Sequence, residues 1–576
     1  MTDLQTILDM IAQSRTLYAD VFTAAARYLV PALAALLLLH CARPLLSFRR
    51  EPEIWAWLKF TDGSQVAVTH WENVIGRSKS SDITVALSTV SRNHAVLTRY
   101  DDGSWTISDA SSKTGTWVNG ERVSICALHS GDVISIGGVD MELTPITKRQ
   151  EQLQSQLRTR GSSGWSSLLG LMLLTLMQAL MLAGFLLSGE IAEYPAYLLG
   201  FGVVFLCQWA LFLFYTVIRR SSFEVETIAF FLCTLGVAAL ATVKPGEMLK
   251  QSAAMLMGVG MFLLIGWSLR DLERAKRFRY LAVLAGVGFL VVTLLFGKEY
   301  YGAKNWLVIG GLSLQPSELS KVCFVYAGAS TMDRIMNKRN LILFIAYSIV
   351  ICGLLALMND FGTAMIFFCA FLIIAYLRSG SVGTIGLACT ALGFAGVLAL
   401  RIAPHALNRF ASWRHVWDNP FTSGYQQTQA IMCIASGGLF GLGPGKGFLQ
   451  KVFAADSDIV FATVSEEWGL ILAVITVLCI VVFGLFAIRT ASVTRSSFYA
   501  IGGCTAASIL VIQTILNCLG TVDVLPFTGV TFPFLSNGGT SMIGAWGLLG
   551  FVKAADTRQN ASFAVRFTGG GRDSDE

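Results

Sequence analysis

Four acidic side chains lie in one polar stretch, residues 454–468 (AADSDIVFATVSEEW), between long apolar runs. They are Asp456, Asp458, Glu466 and Glu467. A carboxylate within hydrogen-bond reach of a substrate hydroxyl can act as a general base, which contributes about 10²–10⁴ in rate. On a strand, the acids at 456 and 458 would share a face, and such a pair is typical of glycoside hydrolases. The acids at 466 and 467 could instead cap the following helix. The stretch therefore predicts carboxylate chemistry without deciding which acid performs it.

The composition places most of the 576-residue chain in a lipid bilayer. Hydrophobic residues make up 54% of the sequence and charged residues only 14%, with a mean hydropathy of +0.60. A soluble globular domain contains about 25% charged residues. The formal charge of +6 is small and its basic residues fall in short loops, which argues against nucleic-acid binding. Most of the 12 cysteines lie in apolar runs without metal-ligand spacing, and we interpret them as small core residues.

A series of apolar runs is long enough, or nearly so, to cross the hydrocarbon core. The first, residues 22–42, has its basic flank on the C-terminal side, which predicts an uncleaved anchor and not a signal peptide. The others are residues 165–187, 194–217, 226–244, 253–269, 279–296, 316–332, 340–358, 363–378, 383–403, 467–488, 498–520 and 535–552. Lysine and arginine clusters alternate with neutral or acidic loops. The positive-inside rule then places residues 404–468 outside the cell and the C terminus inside.

Residues 51–147 show a different pattern, with short alternating runs separated by turn signals such as Asp-Gly and Asn-Gly. Period-two alternation with frequent turns predicts an all-β sandwich. This segment contains GRS at 76–78, SRNH at 91–94 and SSKTGTWVNG at 111–120. An arginine fork beside hydroxyl and amide donors, held on loops at one end of a rigid sandwich, suits a phosphate dianion.

In this order and spacing, the three motifs resemble the forkhead-associated (FHA) domain, a reader of phosphothreonine peptides. The resemblance implies that Arg77 and Ser91 hold the phosphate, with Arg92 beside them. Thr114 stands where the family usually has an asparagine that grips the peptide backbone. A protein containing phosphothreonine is then the expected partner. The alternative is a β-domain that docks onto a partner without phosphate.

Four polar stretches at the ends of the apolar runs contain unusual residues. They are YYGAKNWLVIGGLSLQPSELSKV (300–322), NDFGTA (359–364), the segment with SGYQQTQAIMCIASGGLFGLGPGKG and DSDIVFATVSEE, and LPFTGVTFPFLSNGGTSM (525–542). In this order they are similar to the SEDS family of FtsW, RodA and SpoVE type, which are polytopic peptidoglycan glycosyltransferases. The resemblance covers roughly residues 226–555. It implies a SEDS-type bundle of about ten helices, to which about three N-terminal spans are additions.

The resemblance implies that the chain polymerises lipid II, a lipid-linked disaccharide, into glycan strands. Asp458 occupies the position of the family's essential aspartate, with SDIVF in place of the more usual TDFIF. Departures occur at Met358 and Asn359, which replace Gln and Pro of a family motif, and at residues 452–455, where LPE is usual. We assign substrate binding within the matching stretches to Lys304, Trp306, Glu318, Lys321, Gln429, Ser536, Gly538 and Gly539.

Glycosyl transfer from a lipid diphosphate needs a base for the attacking hydroxyl and positive charge for the leaving group. Asp458 is the candidate base, and the candidate cations for the diphosphate are Lys304, Arg409, Arg414 and Lys446. We assign no cofactor and no metal-binding residue, and a divalent metal ion is an alternative source of the positive charge. Glu318 and Lys321 have helical i,i+3 spacing, so they could also neutralise each other within the bundle.

Two other function classes stay open. A lipid II flippase would also be polytopic, although transporters concentrate polar groups near the bilayer midplane. A non-catalytic scaffold would use the segment 404–468 to recruit a transpeptidase. The family resemblance implies a class B penicillin-binding protein as the transpeptidase partner.

The predicted organisation is a mainly α polytopic protein of the bacterial cytoplasmic membrane with an inserted all-β domain. Its parts are an outside segment with an anchor (1–50), a cytoplasmic FHA-like sandwich (51–147), a linker (148–163), two additional spans (164–225), a SEDS-type membrane domain (226–555) and a disordered cytoplasmic tail (556–576).

Overall fold

A computed structural model of the chain describes residues 2–47, 52–78, 81–100, 103–157, 160–300, 302–310, 312–332, 338–379, 382–383, 385–387, 389–391, 393, 413–494 and 496–563. Most of these residues are helical. The helices are α1 (Thr2–Leu46), α2 (Lys148–Leu157), α3 (Gly164–Ser188), α4 (Tyr194–Val217), α5 (Glu224–Val243), α6 (Met248–Leu269), α7 (Leu272–Phe296), α8 (Pro316–Met332), α9 (Lys338–Leu357), α10 (Phe361–Ser379), α11 (Tyr425–Gly437), α12 (Val460–Trp468), α13 (Leu470–Ala491), α14 (Ser497–Thr521) and α15 (Gly539–Ala554).

Within the described residues, ten helices are long and apolar enough to cross a membrane. They coincide with predicted spans, including the anchor and the two spans between residues 164 and 225. The predicted spans at 316–332 and 535–552 are the shorter helices α8 and α15. Most of the predicted span at 383–403 lies outside the described residues. The chain is a mainly α multi-pass membrane protein.

Helix α5 is the centre of the bundle, because almost all of its side chains are buried. The N-terminal helices α1, α3 and α4 pack against it. Gln178 of α3 and Gln208 of α4 donate to each other's amide oxygens at 2.9 Å, and Gln178 also donates to Thr234 of α5 at 2.9 Å. In lipid, hydrogen bonds between buried side chains favour helix association. The helices before residue 226 are therefore integrated into the bundle.

The strands form a two-sheet sandwich near the N terminus and a small sheet between α7 and α8. The sandwich contains β1 (Ala56–Phe60), β2 (Gln65–Val68), β3 (Glu72–Gly76), β4 (Ile83–Thr84), β5 (Ala95–Arg99), β6 (Trp105–Asp109), β7 (Thr116–Val118), β8 (Glu121–Val123), β9 (Ile125–Leu128), β10 (Val133–Ile136) and β11 (Val139–Pro145). Its sheets have the orders β2-β1-β11-β10-β7-β8 and β4-β3-β5-β6-β9. The small antiparallel sheet contains β12 (Lys298–Tyr300), β13 (Ala303–Ile309) and β14 (Leu312–Leu314). The predicted all-β domain is confirmed.

The segment after the sandwich, predicted to be a polar linker, begins with helix α2. Arg99 at the end of β5 forms an ion pair with Glu151 of α2 at 3.1 Å, and its guanidinium lies 4.5 Å from the centroid of the Trp55 ring. The chain then approaches the C-terminal segment, where the amide of Gly161 donates to the carbonyl of Gln559 at 3.1 Å. The linker thus contacts both the sandwich and the segment around Gln559.

Residues 555–563 are packed against the bundle, which differs from the expectation of a disordered tail beginning at 556. Arg558 donates to both carboxylate oxygens of Asp556, at 3.0 and 2.8 Å, and lies 3.4 Å from Glu224 of α5. It also donates to the carbonyl of Pro44 in α1 at 3.3 Å. Burial alone would lower the pKa of Arg558, but the two carboxylates outweigh it and raise that pKa above its usual range. Composition alone does not reveal the contacts with Glu224 and Pro44, which are distant in sequence.

Candidate functional site

The segment that contains Asp456 and Asp458 is a turn and not a strand. The amides of Ser457 and Asp458 both donate to the carbonyl of Ala454 at 3.1 Å. Asp456 is buried, whereas Asp458 is partly exposed just before the start of α12. The two acids therefore lack the regular i,i+2 strand geometry on which the paired-carboxylate alternative depended.

Glu466 and Glu467 lie in the last turn of α12 and are buried. Glu466 accepts hydrogen bonds from the backbone amides of Phe448 and Leu449, at 2.8 and 3.0 Å. Glu467 accepts a hydrogen bond from Thr242 at the end of α5, at 2.9 Å. The suggestion that they cap the following helix is wrong, because α13 has no side-chain hydrogen bond at its N-cap and both carboxylates bind other segments.

The backbone at Asp458 is fixed by a buried asparagine from α14. The Asn517 side chain donates to the carbonyls of Asp458 and Val530, both at 2.8 Å. Gly529 has a positive φ of 67°, and a Cβ built on it would lie 3.3 Å from Oδ2 of Asp458. The carboxylate thus lies beside the 525–542 motif, where any side chain at 529 would crowd it.

The predicted residues Ser536, Gly538 and Gly539 lie next to the same turn. The Ser536 hydroxyl donates to the carbonyl of Ser457 at 2.6 Å and accepts from the amide of Phe532 at 2.8 Å. The amide of Gly538 donates to Gln251 of α6 at 3.2 Å. Gly539 is the first residue of α15. The last motif thus supports the turn of Asp458 directly through Ser536.

Lys304 and Trp306 lie on β13, which is hydrogen-bonded to the residue that follows α9. The amide of Lys304 donates to the carbonyl of Met358 at 2.9 Å. The neighbouring Asn305 donates to Asp360 at 3.1 Å, and Asp360 accepts from the amide of Thr363 at 3.1 Å, as a helix N-cap does. The N-terminus of α10 also approaches the 525–542 motif, since a Cβ on Gly362 would lie 3.2 Å from Cβ of Thr528.

Glu318 and Lys321 form a buried ion pair of 2.7 Å in α8, with side-chain exposures of 6% and 1%. The backbone amide of Gln315 donates to Thr540 of α15 at 3.0 Å. This places the 315–321 stretch against the last motif. The two charges therefore neutralise each other, as the alternative interpretation expected. A substrate role for Glu318 and Lys321 stays a prediction.

Two of the cations predicted for the diphosphate, Arg414 and Lys446, contact different elements. Arg414 has an exposed side chain, and its amide donates to Asp523 after α14 at 3.1 Å. Lys446 forms an exposed ion pair with Asp20 of α1 at 2.9 Å. Arg409 lies outside the described residues. Among the residues that are described, no group of three or more His, Cys, Asp and Glu side chains is arranged to hold a metal ion.

Gln429 lies on α11 and is partly buried. Its neighbour Gln427 donates to the carbonyl of Gly520 at the end of α14, at 2.9 Å. Helix α11 is thus attached by Gln427 to the segment that leads into the last motif.

The three loop motifs of the sandwich meet at one end of it. The amides of Arg77 and Ser78 donate to the carbonyls of Ser91 and Arg92, at 3.0 and 3.1 Å. A Cβ on Gly76 would lie only 2.1 Å from the carbonyl oxygen of Arg92, so glycine is required there. The side chains of Arg77 and Arg92 are exposed on these two hydrogen-bonded loop segments. This arrangement places two guanidinium groups at the end of the sandwich.

The third loop, residues 111–120, contacts the loop at 91–94 through Ser91. The Ser91 hydroxyl accepts from the amide of Lys113 at 3.0 Å, and the exposed Thr114 donates to the carbonyl of Thr89 at 3.2 Å. The buried His94 ring contacts the carbonyl of Gly115 at 3.0 Å. The predicted residues at 77, 91, 92 and 114 therefore belong to one cluster.

Asp109 supports this loop and was missed by sequence reasoning. It accepts hydrogen bonds from the amide and hydroxyl of Ser112, at 3.0 and 2.6 Å, and from Thr116 at 2.7 Å. Burial alone would raise the pKa of Asp109. The hydrogen bonds to its carboxylate outweigh burial and hold the pKa below its usual range. An Asp followed by two serines at the end of a strand is a turn signal that could have found it.

Around Asp458, sequence reasoning missed Lys244, Gln251, Asn517 and Asn537. Gln251 and Asn517 stand in largely apolar runs, and a buried amide within a membrane span is a usable signal for a functional or packing role. The signal for the other two is weaker, because Lys244 and Asn537 lie in polar connections.

Comparisons with known proteins find two families. The model of the FtsW/RodA/SpoVE cell cycle proteins matches residues 225–561, and the FHA domain model matches residues 73–137. The Mycobacterium tuberculosis protein named peptidoglycan glycosyltransferase RodA is 30% identical over 317 residues, which cover 52% of this chain and 67% of that protein.

Two further matches cover nearly the whole of the other protein. The Bacillus subtilis protein named probable peptidoglycan glycosyltransferase FtsW is 29% identical over 396 residues, which cover 63% of this chain and 92% of the relative. A solved chain from a peptidoglycan synthase complex aligns with a TM-score of 0.47 at 24% identity, over 57% of this chain and 96% of its own length.

Proposed function

The chain belongs to the FtsW/RodA/SpoVE family of cell cycle proteins, and we propose that it polymerises lipid II into glycan strands with Asp458 as the general base. Its curated relatives are named peptidoglycan glycosyltransferases, and the chain is accordingly a glycosyltransferase of peptidoglycan synthesis. One observation supports the choice of base. Asp458 is partly exposed and stands on a turn whose backbone is held by Asn517 and Ser536.

In the proposed reaction, the 4-hydroxyl of one disaccharide attacks the anomeric carbon of another. Asp458 takes the hydroxyl proton as the glycosidic bond forms and the bond to the lipid diphosphate breaks. A base placed in this way contributes about 10²–10⁴ in rate. Asp456 is already engaged by Lys244 and Asn537. This engagement argues against Asp456 as the second carboxylate of a hydrolase pair and so supports transfer.

Positive charge is needed where the diphosphate leaves. We assign this role to Lys304 and Arg414, with a divalent metal ion as the alternative. Lys304 lies on a strand tied to the Asp360 end of the bundle, and Arg414 is anchored to Asp523. Arg414 is thus held just before the 525–542 motif, and Lys304 is held at the connection before α10, whose Gly362 lies close to Thr528 of that motif.

We propose that the Asp458 turn faces the outside and that the sandwich and the C terminus are cytoplasmic. The supporting observation is charge: the basic clusters at 219–220 and 270–279 follow the ends of α4 and α6. Those ends are opposite to the one that contains the Lys244–Asp456 contact, and basic loops favour the cytoplasm. From family membership we also propose a class B penicillin-binding protein as the partner that cross-links the new strand.

Purified full-length protein supplied with labelled lipid II tests the proposed function. We expect glycan polymer to form, detected as a ladder of products on a gel. The same protein in vesicles should be assayed for movement of lipid II across the bilayer. Movement without polymer would favour the flippase alternative, and neither activity would favour the scaffold.

The sandwich is proposed to bind phosphothreonine through Arg77, Ser91 and Arg92. We expect Arg77→Ala to weaken binding of a phosphothreonine peptide about 10- to 150-fold, since a hydrogen bond to a charged group contributes about 1.5–3 kcal/mol. Isothermal titration of the full chain measures this. Arg149→Ala is a matched control, because Arg149 is an exposed arginine of α2, a helix that contacts the sandwich at Arg99, at the other end of β5. Equal binding by wild type and Arg77→Ala would exclude Arg77 as the phosphate contact.

A further inference from the structure

A buried carboxylate lies two residues before the proposed base. Asp456 is 3% exposed, and both of its oxygens accept from the ammonium group of Lys244, at 3.1 and 3.2 Å. Lys244 follows the end of α5, 212 residues earlier in the chain, and its side chain is 48% exposed. One partner is therefore fully enclosed while the other reaches the surface at the end of the bundle that contains Asp458.

Asn537 also hydrogen-bonds Asp456. Its side-chain amide donates to Asp456 at 2.7 Å and to Glu247 at 2.9 Å, and its backbone amide donates to the carbonyl of Asp456 at 2.7 Å. The contact joins three segments: the connection between α5 and α6, the turn at 454–459, and the motif at 525–542. We call Lys244, Asp456 and Asn537 the clamp.

The charges around Asp456 explain why the clamp requires both partners. Lys244 supplies the positive charge, and Glu247 faces the same asparagine amide with a negative charge. Without Lys244, the buried carboxylate would lose its cation and lie near a second carboxylate. Removing one partner of a buried charged pair is costly because the other charge is left uncompensated.

We propose that the clamp positions the carboxylate of Asp458, so that Lys244, Asp456 and Asn537 are positioning residues for the transfer reaction. This proposal rests on the proposed function. Only Ser457 separates the clamp from the base, and its carbonyl is fixed by Ser536. A shift of Asp456 must therefore be absorbed by the two residues that follow it. A displacement of about 1 Å at a reacting group can reduce the rate about 100-fold.

The test compares steady-state polymerisation of lipid II by the purified full chain and its variants. We expect Asp456→Asn and Lys244→Met to lower kcat about 10- to 100-fold with little change in KM. Lys244→Arg should retain most of the activity, because a guanidinium can make the same two contacts. Lys250→Met, an exposed lysine at the start of α6, serves as the matched control and should behave as wild type.

Thermal unfolding of each variant separates positioning from stability. The proposal requires kcat to fall in protein that is as folded as wild type at the assay temperature. An unchanged kcat, a rise in KM alone, or a loss that matches the fraction unfolded would each overturn it. Wild-type protein that forms no polymer would overturn the proposed function and the clamp together. Wild-type polymer with fully active clamp variants would overturn the clamp alone.

Discussion

Asp458→Asn is expected to reduce lipid II polymerisation about 10²–10⁴-fold, the contribution of a well-placed general base. Asparagine has nearly the same shape and keeps the backbone carbonyl that accepts from Asn517. The turn should therefore stay in place while the group that accepts the proton is lost. Polymer formation by the purified variant measures the effect, and binding of lipid II should persist.

Asp418→Asn is the matched control for this variant. Asp418 lies in the segment before α11, and its exposed side chain contacts His415 at 3.0 Å. Its substitution should leave polymerisation unchanged. If Asp458→Asn polymerises as fast as Asp418→Asn and wild type, the assignment of Asp458 as the base is excluded.

Arg558→Ala is expected to destabilise the folded bundle by about 3–5 kcal/mol, the usual cost of removing one partner from a buried ion pair. The substitution removes the guanidinium that the buried carboxylates of Asp556 and Glu224 both contact. It also removes the hydrogen bond to Pro44 that attaches α1 to the C-terminal segment. The change is measured as the shift in the unfolding midpoint of the purified protein in detergent.

Lys446→Ala provides the comparison, because its ion pair with Asp20 is exposed to solvent on both sides. An exposed pair contributes about 0–1 kcal/mol, so this variant should unfold close to wild type. The variant Arg558→Ala with Asp556→Asn should recover part of the lost stability by removing one of the two uncompensated charges. Equal midpoints for Arg558→Ala and Lys446→Ala would contradict the role given to the buried pair.

Much of the fold could be predicted because its signals are local. The apolar runs at 165–187 and 194–217 indicate spans by length and composition alone, and α3 and α4 coincide with them. The alternating pattern of residues 51–147 similarly predicts the sandwich. The prediction failed at residues 556–563, where a polar composition suggested disorder. There, burial depends on the pairing of Arg558 with Glu224, which lies more than three hundred residues earlier.

The candidate site also combines features that the sequence predicts with features that only the tertiary structure decides. From the sequence, the motif around Asp458 can be matched, and carboxylate chemistry can be predicted, because residue type and spacing within one stretch are enough. Only the tertiary structure decides that Asp456 binds Lys244 and Asn537 while Asp458 stays partly exposed, so that two acids two residues apart have different environments. The physical reason is that hydrophobic pattern and motif identity are properties of neighbouring residues. Burial and charge pairing depend instead on how helices distant in sequence pack together.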